Sequence, residues 1–310
     1  MESRRRDVGI ALDSCPWRTL SFSMVEDLLR FGNSLQTVCL VVSGDGVATV
    51  TLNSPRTGNA LTLQCFDELG AVFRRLGGEP DVRCVLLNGE GKHFCSGINI
   101  ASFNAVVGGD HQGEQCPGRR NLRLHASVRG LQDAISALEV CRVPVVCAIS
   151  GACLGGAIDL VAAADIRIAT RDSVWGVIEA DLGFAADLGT LARLPRLVGE
   201  GRARELALTC RRFSGAEAST YGLVTTVVDD RETLQRAARD LAASLASKSP
   251  MAMAATKAEL LFARDHSVAD ALDHVAWRNA ATLASDDLQK ALAARTRDRK
   301  GGGAIPFAKL

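Results

Sequence analysis

One pattern constrains this chain more than any other: a short apolar run, a glycine-bearing turn and then a helical stretch, repeated across residues 81–194. Residues 81–87 (DVRCVLL), 145–150 (VVCAIS), 166–169 (IRIA) and 174–177 (VWGV) are too short for buried helices and rich in Val and Ile, so they read as strands. Helical spacing lies between them. In residues 122–140, Leu124, Val128, Leu131, Ile135 and Leu138 share a face, and a helix of small residues follows Gly155 and Gly156. Strand–helix–strand order implies parallel pairing through crossover helices, hence an α/β core. Ahead of it, two β-branched runs in residues 35–52 flank Gly44, Asp45 and Gly46 and predict a hairpin. The polar loop NSPRTGNAL then leads to a helix predicted over residues 62–76.

Residues 102–120 hold Gly, His, Gln and Pro without periodicity and predict a mobile loop. A helix is expected to start near Asp187. Beyond Leu194 the chain reads as helix throughout, over residues 201–210, 215–221, 231–247, 250–265, 268–283 and 285–296, with Ser214 and Ser267 as caps. The organisation is thus an extension at 1–37, an α/β core at 38–200, a helical region at 201–300 and a tail at 301–310. The extension begins with Arg4, Arg5 and Arg6 and holds the amphipathic SFSMVEDLLRF. That hints at an organelle presequence, but Glu2, Asp7, Asp13, Glu26 and Asp27 speak against one, since such segments are poor in acids.

A net charge of +1 gives no global field for nucleic acid or membrane, and 5% aromatics offer few base-stacking surfaces. No apolar run reaches the roughly 20 residues a membrane helix needs. None of the ten cysteines forms a C-x-x-C pair, and the five histidines add no zinc spacing; His93 and Cys95 alone do not make a metal site. Reduced, half-buried thiols are expected.

Chemistry concentrates in two stretches. Residues 174–194 (VWGVIEADLGFAADLGTLARL) carry Glu179, Asp181 and Asp187 among small and apolar residues, and residues 144–159 (PVVCAISGACLGGAID) end in Asp159. An ionised carboxylate loses solvation in such surroundings, so two acid-bearing apolar segments suggest one pocket. Glu179 on a solvated turn, Asp187 as the N-cap of the next helix and Asp159 bonded to backbone are the bland alternatives. Asp181 is read as structural. The Gly-rich turn GEGKHFCSGINI after the strand at 81–87 leaves backbone N–H groups free to face a ligand.

Four segments, in order and spacing, resemble the crotonase (enoyl-CoA hydratase/isomerase) superfamily: SPRTGNAL at 54–61, HFCSGIN at 93–99, VPVVCAISGACLGGAIDLVAAADIRIA at 143–169 and the 174–194 stretch. IEADLGFAADLGTLARLPRLVG and SKSPMAMAATK are most similar to the Δ3,5-Δ2,4-dienoyl-CoA isomerases of that superfamily. The resemblance implies a ββα spiral core with a C-terminal helical trimerisation region, trimers or hexamers, and an acyl-CoA thioester substrate. It implies no metal and no cofactor beyond the CoA carried by the substrate. Backbone amides of Ile98 and Gly156 would form an oxyanion hole, where losing one donor typically costs about 3 to 4 kcal/mol. Glu179 would be the base at C2, Asp187 the acid at C6, and Asp159 a third pocket acid that orients or tunes the others, with one of the three holding a raised pKa. Ser96, Gly97, Ile98, Asn99 and Ile100 would line the path of the acyl-CoA, with Arg56 on its phosphates. The family usually has Asp where this chain has Asn99. A 2-enoyl-CoA hydratase, needing only Asp159 and Glu179, and an idle scaffold or RNA-binding relative are the alternatives.

Ala308, Lys309 and Leu310 resemble an SKL-type peroxisomal address, exposed by the lead-in GGGAIPF and read by an import receptor. Peroxisome or a related microbody is the expected location, with a mitochondrial share open through the N-terminus.

Overall fold

The computed structural model describes residues 22–108, 116–297, 305 and 307–310. α1 (Phe22–Ser34) precedes the hairpin of β1 (Val38–Val42) and β2 (Val47–Leu52), antiparallel from Val38 opposite Leu52 to Val42 opposite Ala48. α2 (Leu63–Gly78), capped by the Thr62 hydroxyl accepting from the Cys65 amide at 3.1 Å, crosses over to β3 (Cys84–Gly89), which is parallel to β2. There follow α3 (Ile100–Gly108), α4 (Pro117–Glu139), β4 (Val145–Ile149), β5 (Ala152–Leu154), α5 (Gly156–Ala163), β6 (Ile166–Thr170) and β7 (Val174–Gly176). A 3-10 turn at Glu179–Leu182 leads into α6 (Thr190–Val198), α7 (Glu200–Thr209), β8 (Phe213–Ser214), α8 (Gly215–Thr220) and β9 (Thr226–Val228). The chain ends in α9 (Arg231–Ala246), α10 (Pro250–Asp265), α11 (Val268–Thr282) and α12 (Asp286–Arg297).

The strands form a six-stranded sheet, β1-β2-β3-β4-β6-β9, and a three-stranded one, β5-β7-β8. From β4 onward the chain steps between them: β4 large, β5 small, helix α5, β6 large, β7 small. That is the expected ββα spiral. Period-two alternation decides which way each strand faces. In β4, Val145, Cys147 and Ile149 join Phe66, Ile135 and Leu138 in the main core, while Val146 and Ala148 face the other way. There they meet Cys84, Leu86 and Ile168 beneath Leu234, Ala238, Ala242 and Ala246 of α9. Spacing by four puts these small residues on one stripe, so α9 lies close to the sheet and covers its second face, as a parallel sheet requires. Among the described residues no helix is long and apolar enough to cross a membrane.

The structure departs from the sequence reading in several places. Residues 102–120 are not one loop. Residues 100–108 are α3, started by the Asn99 side-chain oxygen accepting from the Ser102 amide at 3.2 Å, and α4 begins at Pro117, whose missing N–H costs nothing in a first turn. Residues 109–115 lie outside the described residues. The helix expected near Asp187 starts at Thr190, because Gly189 breaks the turn at φ 131°. The chain beyond Leu194 is not all helix: β8 and β9 are too short to leave a period, and β9 closes the large sheet against β6. The amphipathic stretch, from Phe22 to Phe31, makes up most of α1, with Leu28 buried and Phe31 packed on the core. Arg4, Arg5 and Arg6, and with them the presequence reading, lie outside the described residues. The tail is not a loose end. Arg83 Nη2 donates to the Phe307 and Ala308 carbonyls at 3.0 and 3.2 Å, and Lys309 pairs with Asp81 at 2.5 Å, although residues 308–310 keep exposed side chains.

Entry to the hairpin depends on one buried acid. Glu68 of α2 accepts from the Gln36 and Thr37 amides, each at 2.9 Å, from the Val38 amide at 3.1 Å and from the Thr37 hydroxyl at 2.7 Å. Burial alone would raise its pKa, but these donors, led by the Thr37 hydroxyl, hold it below the ordinary carboxylate value. Glu68→Ala leaves those amides unanswered and should cost about 3 kcal/mol in urea unfolding. Because the folded pKa is depressed, the stabilisation from Glu68 should be present above pH 4.5 and lost as pH falls through its folded pKa.

Candidate active site

Two Gly-bearing turns meet at the ends of β3 and β4. After β3, residues 93–97 run beside residues 150–154: Phe94 N donates to Ser150 O at 2.8 Å, Cys95 N to Ala152 O at 2.9 Å and Leu154 N to Cys95 O at 3.2 Å. Asn59 ties in the preceding polar loop. Its side chain donates to the Glu90 and His93 carbonyls at 2.9 and 2.8 Å and accepts from the Ser54 amide at 2.9 Å. Leu61 then bridges the turn, its N–H on Gly97 O and its carbonyl on the Asn99 amide, both at 2.8 Å. In such a parallel bridge the residue between the two partners, Ile98, points its own N–H the other way.

That direction leads to Gly156. A Cβ placed on Gly156 would stand 3.8 Å from Ile98 N. Gly156 is the first residue of α5, so its N–H has no intrahelical acceptor and sits at the positive end of the helix. Ile98 and Gly156, the two residues expected to form an oxyanion hole, therefore lie close together, with the Gly156 N–H at the open start of a helix. The approach needs glycine at its hinges. Gly97 has φ +103°, and a Cβ there would lie 2.9 Å from Leu154 O. Gly155 has φ +53°, and its Cβ would press on Ile178 and on Glu179 Oε1, both at 3.3 Å.

Asp159 and Glu179 lie close to this turn, and Asp187 is near enough to act electrostatically on both. Asp159, one turn along α5 from Gly156, is 1% exposed, and its Oδ1 accepts from the Thr190 amide at 2.6 Å. Burial pushes its pKa up to about 7, the Thr190 bonds pull it back, and Glu179 and Asp187 push it up further. Glu179 opens the 3-10 turn and is 5% exposed, which overturns the solvated-turn reading. Its pKa is raised by burial first, against the pull of the Glu179 and Ile178 amides, with Asp187 adding to the rise. Among the described residues Glu179 Oε2 has no hydrogen-bond partner. Asp187 is exposed at the rim, yet enough protein surrounds its carboxyl for desolvation to raise its pKa as well. It is not the cap of α6; that position is Gly189. Asp181 is exposed, as a structural acid would be.

The expected substrate-path residues separate into two sets. Ser96 is anchored, its N–H on Gly58 O at 2.9 Å and its hydroxyl on Thr57 O at 3.1 Å, and this holds the exposed Arg56 turn against the site. Asn99 is occupied as the start of α3, a task that its amide oxygen performs in place of a carboxylate. Ile100 is 73% exposed. Sequence reasoning missed Asn59, whose φ of 57° marks a strained, structurally committed position, and the stack of Phe103 on Phe184 at 4.8 Å beside the Glu179 turn. Asn59 was visible within NSPRTGNAL but has no pattern of its own. Phe103 and Phe184 are 81 positions apart and meet only through the fold. Burial pushes the Cys65, Cys95 and Cys147 thiols up to about 12, so these are inert packing groups.

Comparison with known proteins follows the same lines. The family model described as enoyl-CoA hydratase/isomerase matches residues 43–300. The chain is 44% identical over 259 residues to the peroxisomal Δ3,5-Δ2,4-dienoyl-CoA isomerase of Arabidopsis thaliana, covering 84% of this chain and 91% of that one. It is 38% identical over 265 residues to the mitochondrial Δ3,5-Δ2,4-dienoyl-CoA isomerase of Homo sapiens, covering 85% and 80%. The crystal structure of an enoyl-CoA hydratase from Bacillus anthracis superposes with a TM-score of 0.77 at 27% identity, over 88% of this chain and 99% of that one.

The raised pKa of Asp159 has a stability consequence. The folded protein holds a proton that the unfolded chain releases, so its contribution is fully present below pH 3.8 and is lost as pH rises to about 7. Asp159→Asn keeps an oxygen for Thr190 and should flatten the fall in unfolding free energy across that window, measured by denaturant titration at several pH values.

Proposed function

The chain belongs to the enoyl-CoA hydratase/isomerase family, and from that premise we propose that it converts 3,5-dienoyl-CoA to 2,4-dienoyl-CoA. The observation that carries this reading is the third acid: Asp187 stands near enough to Glu179 and Asp159 to raise both of their pKa values. Moving two double bonds requires a proton to leave C2 and another to arrive at C6. A single carboxylate reaches both ends of an extended dienolate poorly, whereas two on opposite sides reach them well.

Glu179, with its free Oε2, takes the C2 proton. The electron pair runs through C3 to C6 and onto the thioester oxygen, where the two amides stabilise it. Asp187, protonated beforehand, delivers a proton to C6 and leaves double bonds at C2 and C4. The proton gained by Glu179 must then return to Asp187 through solvent or across Asp159. Asp159, protonated near neutrality, lets Glu179 ionise without a second charge beside it. Arg56 on its exposed turn meets the CoA phosphates, and binding of that remote end positions the thioester.

The exposed apolar side chains of α10 and α11, Leu260, Leu272 and Trp277 among them, fit contacts between copies in a trimer or hexamer. Similarity to a peroxisomal and a mitochondrial relative supports one of these two compartments, and the Ala308-Lys309-Leu310 ending favours the peroxisome through an import receptor.

A panel of 3,5-dienoyl-, 3-enoyl- and 2-enoyl-CoA should give turnover on the first, followed by absorbance of a diene conjugated with the carbonyl. Asp187→Asn should lower that turnover at least about 10²-fold. Hydration of 2-enoyl-CoA as the main activity, untouched by Asp187→Asn, would establish a hydratase instead. Removing Leu310 from an N-terminally tagged fluorescent fusion should move it from peroxisomes to the cytosol; unchanged organelle fluorescence would place the address elsewhere.

A further inference from the structure

Asp187 sits in the least regular part of the site. Residues 185–188 belong to no helix or strand, and side chains from elsewhere hold them. The Asp187 carbonyl accepts from Gln132 Nε2 at 2.6 Å, the Leu188 carbonyl accepts from Arg193 Nη1 at 3.5 Å, and the Thr190 amide is held by Asp159. Gln132 lies on α4, and its Oε1 accepts from Arg129 Nη1 at 2.7 Å. A guanidinium only donates, so the oxygen of the Gln132 amide must face Arg129, which turns the NH2 group toward Asp187. Ser136 and Glu139 follow on the same face of α4 at helical spacing. They hold Arg193: Ser136 Oγ accepts from Nη2 at 3.1 Å, and Glu139 accepts from Nη2 at 2.9 Å and from Nε at 3.1 Å. Arg193 in turn covers Gly189, where a Cβ would fall 1.8 Å from Nη1. One face of α4 therefore grips the turn from Asp187 to Gly189.

We propose that Gln132 is a positioning residue for the isomerase reaction: its amide fixes where Asp187 presents its carboxyl along the acyl chain. This rests on the reading of Asp187 as the C6 acid. The bond is directed at the backbone of Asp187 itself, so its loss frees the one acid that no regular structure constrains. Glu179 is placed in its own 3-10 turn and Asp159 in α5, whereas Gln132 bonds to Arg129 and to the Asp187 carbonyl. A general acid displaced by about 1 Å can lose about 10² in rate.

The two proton transfers can be read separately in deuterated water. Formation of 2,4-dienoyl-CoA needs Asp187, whereas entry of deuterium at C2 of unconverted 3,5-dienoyl-CoA needs only Glu179 and the two amides. Gln132→Met keeps the length of the side chain and removes the donor. It should slow isomerisation about 10- to 100-fold at nearly unchanged KM, while deuterium enters C2 at the wild-type rate. Gln132→Glu, which keeps the shape but cannot donate when ionised, should show the same split. Equal loss of both rates would mean a general structural role, and wild-type isomerisation in both variants would mean no role; either result overturns the proposal. Deuterium exchange without 2,4-dienoyl product in the wild-type enzyme would instead sink the reading of Asp187 on which it rests.

Discussion

Everything in the site depends on how closely two backbone turns approach. Between Gly97 and the Leu154 carbonyl there is room for a hydrogen atom and little more, since a methyl at Gly97 would lie 2.9 Å from that oxygen. The contact lets the end of the β3 branch lie against the start of α5. Leu61 fixes the rotation of the turn by taking the Gly97 carbonyl and the Asn99 amide, so Ile98 can only face Gly156. A fixed turn of this kind is what the proposed stabilisation of a developing oxyanion by Ile98 and Gly156 would demand. They also lie beyond the carboxyl ends of parallel strands, where an open α/β sheet leaves its crevice.

The acids follow a different economy of charge. No cation is among the causes that shift Asp159, Glu179 or Asp187, and burial is the largest influence on each. Three ionised carboxylates would repel one another in a medium that solvates them poorly. The group is tolerable because burial raises all three pKa values, which favours their neutral forms, and because the N-terminus of α6 meets Asp159. The contrast with Glu139 is instructive. Burial would raise it too, but Arg193 and Arg264 hold it below the ordinary value, and it serves as a fixed ionic anchor.

How much of this was legible in the sequence follows the range of each signal. Strands β3, β4, β6 and β7 were readable because their residues are apolar in short runs, and the helices from α7 to α12 because their periods and caps are local. Gly156 and Ile98 were found through motif likeness, and the acids through their odd company. What was hidden is long-range. That α9 belongs to the sheet depends on Ala238 and Ala242 meeting Val146 and Ala148, and nothing in the spacing of α9 names its partner. That Asn99 also starts α3 was not visible either, since the role of one amide oxygen cannot be read from sequence alone. The anchored tail rests on Asp81 and Arg83, more than 200 positions away from it.

The competing requirements of hydration and isomerisation meet at Asp159. To activate water, a hydratase wants two carboxylates with free oxygens facing the same space. Here Asp159 is 1% exposed, and one of its oxygens is committed to the Thr190 amide. Glu179 keeps an unpartnered oxygen, and the next acid with access to solvent is Asp187 at the rim. A water between Asp159 and Glu179 would have to enter the most desolvated part of the group, since both are buried while Asp187 is exposed. The distribution of exposure among the three acids thus favours proton transfer along a chain over addition of water to it.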